Sequence, residues 1–364
     1  MRLYQAATFI FLVLVTLPGV DAAACTSFSM ETPDGPLYGT NCDLLIPGDG
    51  LVFVNRRGLA KEGYDANTAG DPLEWVARYG SVTFNLAGRE LAWGGINEAG
   101  LVMSSMQLTA SKCPKPDTRF PMGAGLLVQY LLDTCGTIDE VIDALKPIRP
   151  PESECDSHFL VMDATGNTLA IEFLDRELVT FSGADLPVRA MANIRYDRAA
   201  VAYERGGPRW WWSNPGASAQ RVAGAEDRLR NFDAARDTCA VTYAFETLAH
   251  VVAAPHTKWN IVIDPTLKKI WFRSARSPSI KFLTLDACDF SCDSPVMMLD
   301  LNADLEGDVG GSFIPFDHEV NKELFQVFCS RWGIKVSEEG AVALMELFEG
   351  FECAGSGSET SLSE

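Results

Sequence analysis

Histidine is scarce in this chain. There are four among 364 residues, and His158, His250, His256 and His318 show no metal-ligand spacing. A histidine-built metal centre is therefore not expected, since its ligands recur a few residues apart. A papain-like cysteine–histidine pair is not expected either, because the local signature around such a cysteine is missing. Basic charge is also short, with 30 Lys and Arg against 49 Asp and Glu and no basic cluster. A phosphate backbone would be repelled, which excludes nucleic acid as a partner. Long apolar runs are absent beyond the start of the chain, and no internal repeat is present. Asp300-Leu301-Asn302-Ala303-Asp304 opens like a calcium loop, but Leu305 stands where the obligatory glycine belongs and Gly311 where the bidentate glutamate belongs. It reads as an acidic loop, and no metal or other cofactor is implied.

The first residues read as a targeting segment. Arg2 supplies a positive start, and Phe9-Ile10-Phe11-Leu12-Val13-Leu14-Val15 is an apolar core well short of the ~20 residues needed to span a membrane. Pro18 and Gly19 break it, and Ala22-Ala23-Ala24 gives the small-residue pattern that signal peptidase needs. Residues 1–24 are thus expected to be a signal peptide. The mature protein, secreted or periplasmic, would then have no membrane association. About 340 residues remain, enough for a sizeable core. Ten cysteines in an exported chain suggest disulfides. If Cys25 stays a free thiol, the odd number left cannot all pair within one chain. Cys288 with Cys292, and Cys329 with Cys353, are candidate C-terminal staples, though spacing leaves connectivity open.

Short β-prone runs separated by turn residues recur along the chain. Cys25-Thr26-Ser27-Phe28-Ser29-Met30, the turn Pro33-Asp34-Gly35 and Pro36-Leu37-Tyr38-Gly39 form the first such pair. Further pairs are expected at 81–86 with 90–93 and 101–108, at 158–162 with 168–174, and at 260–263 with 269–272. Short connections between them imply antiparallel hairpins. Helical periodicity appears at 124–135, where Leu126, Leu127, Tyr130 and Leu131 share a face, and Thr137 with Glu140 has capping-box spacing before a second helix. Helices are also expected at 223–235, 243–251 and 341–351. Residues 146–154 read as a proline-rich linker and 206–215, with Trp210-Trp211-Trp212, as a loop. A disordered tail is expected over 354–364. Hairpins interspersed with helices point to a layered α+β domain over 25–353, without a boundary between independent units.

The position of Cys25 carries the chemistry. Cleavage after Ala24 would make it the first residue, with its thiol a few bonds from its own α-amine. That amine has an ordinary pKa of about 7.7–8.0 and can act as the general base for the thiol. Two other readings compete: an ordinary disulfide partner, and a lipid-anchored cysteine, for which Ala22 is a poor match to the leucine-like residue such signals prefer.

Cys25-Thr26-Ser27-Phe28, followed by Tyr38-Gly39-Thr40-Asn41-Cys42-Asp43, resembles the opening of the choloylglycine hydrolase family, N-terminal nucleophile hydrolases that include bile salt hydrolases and penicillin V acylases. The resemblance continues in order through Gly95-Ile96-Asn97-Glu98-Ala99-Gly100-Leu101, His158-Phe159-Leu160-Val161-Met162-Asp163, Ile171-Glu172, Met191-Ala192-Asn193, Ala225-Glu226-Asp227-Arg228-Leu229 and Trp259-Asn260-Ile261-Val262-Ile263-Asp264-Pro265. It implies an αββα sandwich of two antiparallel sheets between helical layers. It also implies hydrolysis of a linear, non-peptide amide through a thioester on Cys25. Asp43 would hold the amine, Asn193 and the backbone N–H of Gln107 would stabilise the oxyanion, and Arg228 would favour thiolate. The partner would be a small-molecule N-acyl amide of the conjugated bile acid, penicillin V or N-acyl homoserine lactone type, and a homo-oligomer is compatible with it. The chain departs from the family at Thr40, where an arginine is common, and at Gln107, where asparagine or tyrosine is usual. An N-acyltransferase, and an exported cysteine-rich binding or structural protein with an inactive hydrolase fold, remain the alternatives.

Overall fold

The structure, a computed structural model, describes residues 24–63, 73–206 and 217–355. The expected signal peptide up to residue 23, the tryptophan triplet and the tail from 356 onward lie outside the described residues.

Two large sheets form the frame. The seven-stranded sheet runs, in spatial order, Ala190–Ala192, Thr26–Met30, Leu37–Asp43, Thr257–Asp264, Lys269–Ser274, Lys281–Thr284 and Gly307–Asp308. The nine-stranded sheet runs Glu177–Ser182, Thr168–Leu174, Ser157–Met162, Val102–Gln107, Ala92–Asn97, Ser81–Asn85, Leu51–Asn55, Met297–Asp300 and Ile314–Pro315. Within these two sheets pairing is antiparallel, apart from the parallel edge strand Gly307–Asp308. Each expected hairpin is present, with its ends adjusted by a few residues.

The sandwich explains why the inner strands do not alternate between apolar and polar. Thr26–Met30, Leu37–Asp43 and Ala92–Asn97 are buried at every position, since both faces of each sheet are covered. Along paired strands the two faces serve different cores. Leu160, Met162 and Ala170 point between the sheets, whereas Phe159, Val161, Leu169 and Ile171 face the outer helices.

Among the described residues there are seven α-helices: α1 (Ala124–Thr134), α2 (Ile138–Ala144), α3 (Tyr196–Glu204), α4 (Ser218–Asn231), α5 (Ala240–His250), α6 (His318–Trp332) and α7 (Glu338–Glu349). α1 packs on Ala92–Asn97 and Val102–Gln107, and the apolar faces of α2, α6 and α7 join the same outer core. α4 and α5 cover the seven-stranded sheet, α4 over Ala190–Ala192 and Thr26–Met30 and α5 over Leu37–Asp43. The order of layers is therefore helix, sheet, sheet, helix, the αββα arrangement that the resemblance implied.

Some expectations need correction. The helix expected at 223–235 begins at Ser218, because Ala217 at its start makes no side-chain cap and left no signal in the sequence. α3 and α6 were not expected, although α6 has legible ends. Asp317 accepts from the amides of Glu319 and Val320, and Gly333 closes the helix at φ +66°. Residues 146–154 are not a free linker, since Ile148–Arg149 is buried and pairs with Phe120–Pro121. The disulfides are Cys113–Cys155 and Cys292–Cys353. Cys288 and Cys329 are free thiols. Cys329 faces the core from α6, while Cys353 lies on the short strand paired with Leu59–Glu62, beside the Gly58 turn that Cys292 also touches.

Candidate active site

Strand register brings the expected site residues to one end of the seven-stranded sheet. Thr26 lies opposite Asn41 on one side and Ala192 on the other. One step nearer the chain start, Cys25 therefore falls between Cys42 and Asn193. A further step out, the amide of Ala24 donates to the carbonyl of Asp43 at 3.3 Å. Cys25 is 2% exposed and its Sγ lies 3.8 Å from the same carbonyl.

Asp43 is wholly buried, and neither carboxylate oxygen has a well-formed hydrogen bond among the described residues. Burial pushes its acid up to about 7; the Thr257 hydroxyl and the charges of Arg221 and Lys258 oppose that only in part. The structure thus holds a desolvated acid without a firm partner beside the expected new chain end. With Ala24 attached, the Cys25 nitrogen is an amide and carries no charge to meet it.

Asn193 follows the Ala190–Ala192 strand. Its Nδ2 donates to the Gln107 carbonyl at 2.7 Å, and its Oδ1 accepts from Arg221 Nη2 at 2.9 Å. An amide nitrogen has two hydrogens, so one remains to donate. Gln107 ends a strand of the facing sheet. The next amide, Leu108, donates to Asp156 at 2.6 Å, so by the alternation of an antiparallel ladder the Gln107 N–H turns away from the Ser157–Met162 strand. The pairing of its other neighbour, Ala92–Asn97, stops at Ser104. Asn193 and the Gln107 backbone are thus brought together, one from each sheet.

Arg228 is not brought to this site. Its Nε donates to Thr247 Oγ1 at 3.0 Å, Nη2 reaches Glu246, and the guanidinium lies 4.5 Å from the centre of the Tyr243 ring. Arg221 occupies the place expected for it. It is 4% exposed, and its Nε donates to Thr26 Oγ1 at 3.0 Å. Its Nη2 reaches the Cys25 carbonyl at 3.5 Å, Ser218 Oγ at 3.2 Å and Asn193. Seven residues separate the two arginines, two turns or ~10 Å along the helix. They share a face, but only the earlier one lies against the first strand. The misplaced helix start concealed this by leaving Arg221 in a loop.

Thr40 has no cation in its place. Its hydroxyl lies 2.8 Å from Ser27 Oγ, which is 2.9 Å from Ser104 Oγ, and Tyr38 closes the group at 2.6 Å from Ser104. Four neutral hydroxyls fill the space between the sheets. Asn41 is structural here: it donates to the Leu248 carbonyl of α5 and accepts from Asn260. His158 is buried against Glu172 at 3.0 Å, and no group of residues that could hold a metal occurs among the described residues.

Comparison with known proteins bears on the fold. A model of the acyl-coenzyme A:6-aminopenicillanic acid acyl-transferase family matches residues 73–198. A penicillin V acylase from Pectobacterium atrosepticum is 22% identical over 80% of this chain and 88% of its own length. The solved structure of penicillin V acylase from Agrobacterium tumefaciens superposes with a TM-score of 0.68 at 21% identity, covering 80% of this chain and 98% of that one. A variant of conjugated bile acid hydrolase from Clostridium perfringens gives 0.64 at 14% identity, over 78% and 98%. The chain has the N-terminal nucleophile hydrolase fold, and the family it resembles, in fold and in the order of its motifs, is that of penicillin V acylase and conjugated bile acid hydrolase, the choloylglycine hydrolases.

Proposed function

We propose that this protein is exported, loses its leader after Ala24, and hydrolyses linear N-acyl amides with Cys25 as nucleophile, within one domain over 25–353. The observation that carries this is the placement of Cys25 between Asn193 and Cys42, one step from a buried, poorly satisfied Asp43.

Once Ala24 is gone, the Cys25 nitrogen becomes an amine, and its ammonium form supplies the charge that Asp43 lacks. The neutral amine takes the thiol proton, and sulfur attacks the amide carbon. The developing oxyanion meets the free Nδ2 hydrogen of Asn193 and the Gln107 N–H, donors whose loss costs about 3–4 kcal/mol each in the barrier. Arg221 grips the Asn193 oxygen and so aims that amide, and the same guanidinium nitrogen lies 3.5 Å from the Cys25 carbonyl. The protonated amine then hands its proton to the leaving nitrogen, and water releases the acyl group from the thioester. The relatives named for penicillin V and conjugated bile acids support N-acyl amides of those types as substrates, and N-acyl homoserine lactones are included in the proposed range.

Acyl transfer to an amine is a second reading, favoured by the acyl-transferase family match. Turnover of a panel of these amides, with and without an added amine acceptor, decides between them. Release of free acid unaffected by the acceptor supports hydrolysis, and an acylated acceptor as main product supports transfer. Cys25→Ala is expected to abolish either activity while keeping the circular-dichroism spectrum. Wild-type turnover in that variant would rule out the mechanism, and no turnover by the wild type on any amide would favour an inactive binding protein.

A further inference from the structure

We propose that Cys42 is a resolving cysteine for Cys25, so that the active-site thiol is a reversible oxidation site closed by a Cys25–Cys42 disulfide across the first two strands. This rests on the reading of Cys25 as nucleophile for its effect on activity, though not for its chemistry.

The geometry comes from the ladder. Ala24 and Asp43 form a hydrogen-bonded step, with the Ala24 amide on the Asp43 carbonyl. In an antiparallel pair the steps alternate, so Cys25 and Cys42 form a non-hydrogen-bonded step. Such residues share a face, with Cα atoms about 4.5 Å apart and side chains converging. That lies at the short end of the range a disulfide spans, about 4.4–6.8 Å. Both thiols are free and buried, and the strand register sets them directly opposite each other. The other free thiols do not share this step. Cys135 ends α1, Cys239 caps α5, Cys288 lies near Leu285 and Cys329 is in α6.

The order of events follows from the surroundings. Cys42 holds its proton tightly, through burial and then the neighbouring Cys25 sulfur. It therefore does not compete as the first nucleophile. The oxidant is a hydroperoxide. The Cys25 thiolate attacks its O–O bond, giving a sulfenic acid and releasing water or an alcohol, with the thiol proton leaving on that oxygen. The Cys42 sulfur then displaces hydroxide from the Cys25 sulfur. The hydroxide departs as water with the Cys42 proton, and the S–S bond forms. Two thiols are oxidised and one peroxide is reduced.

The test uses the mature protein beginning at Cys25, treated with hydrogen peroxide, alkylated and cleaved after glutamate. Glu31 lies between the two cysteines, so a disulfide is read as a crosslink between two fragments. The expected result is that crosslink, with loss of turnover, both reversed by dithiothreitol. Cys42→Ala, which touches no step of the proposed hydrolysis, is expected to keep its basal turnover. After peroxide it should recover less than about a tenth of that turnover on reduction, because Cys25 proceeds to the irreversible sulfinic acid. Absence of the crosslink in the wild type, or full recovery of the variant, overturns the proposal. The wild-type crosslink is scored by mass alone, so it stands or falls even if no tested amide is hydrolysed and the hydrolase reading fails.

Discussion

Asp43 is a charged residue in a place that suits a charge only when a partner arrives. A buried carboxyl with a raised pKa keeps a proton that the unfolded chain releases, so the fold loses stability as pH rises from the ordinary 3.8 to about 7. For a chain that retains Ala24, the loss is ~4 kcal/mol across that window. In a chain beginning at Cys25, the ammonium favours the ionised acid, its pKa falls, and the loss shrinks. Urea midpoints of the two forms between pH 4 and pH 8 check this; superimposable pH curves would contradict it. The two arginines are separated as cleanly. Arg221→Gln is expected to lower kcat about 100-fold by releasing the Asn193 amide. Arg228→Gln should change it less than about twofold, since its partner Glu246 is 51% exposed and such pairs contribute ~1 kcal/mol or less. Steady-state kinetics on the two variants would show the reverse order if the helix start had been read correctly from the sequence.

At the scale of elements, the central strands are held together by close backbone approach. Gly95 lies opposite Thr83 and Met103 in the middle of the nine-stranded sheet. A Cβ built there would stand 2.3 Å from the Val82 carbonyl oxygen and 2.9 Å from Thr83 Cα, atoms that belong to backbone and cannot turn aside. Gly95→Ala should therefore destabilise the fold by ~2–4 kcal/mol, read as a lowered thermal midpoint, and an unchanged midpoint would sink the packing argument. The hairpins were legible because turn chemistry and β-prone residues mark them locally. α1 and α2 were legible from period and cap, and Thr137 does accept from the Glu140 amide. α4 was misplaced because its start carries no cap and its position is fixed by packing on Ala190–Ala192 and Thr26–Met30, contacts far away in sequence. The same blindness to long-range contact hid Arg221.

Across the whole molecule, the candidate site lies where two sheets end together. Asn193 comes from the seven-stranded sheet and Gln107 from the nine-stranded one, and neither sheet alone holds both of the proposed donors. Cys25, Asp43, Asn193 and Gln107 were singled out by the order of their motifs, and register brings the first three to adjacent steps. Disulfide pairing was beyond the sequence: Cys353 reaches Cys292 only because the chain returns through α6 and α7 to the strand Leu59–Glu62. The disulfides Cys113–Cys155 and Cys292–Cys353 both stand away from the proposed nucleophile and leave its thiol free. The central claim is that sulfur and amine act together at one chain end. Turnover of an N-acyl amide should be measured for two chains, one beginning at Cys25 and one retaining Ala24, with each N-terminus verified by mass before and after the assay. The chain beginning at Cys25 is expected to turn over and the longer one to be inert while its thiol still alkylates; equal rates from both would contradict the account.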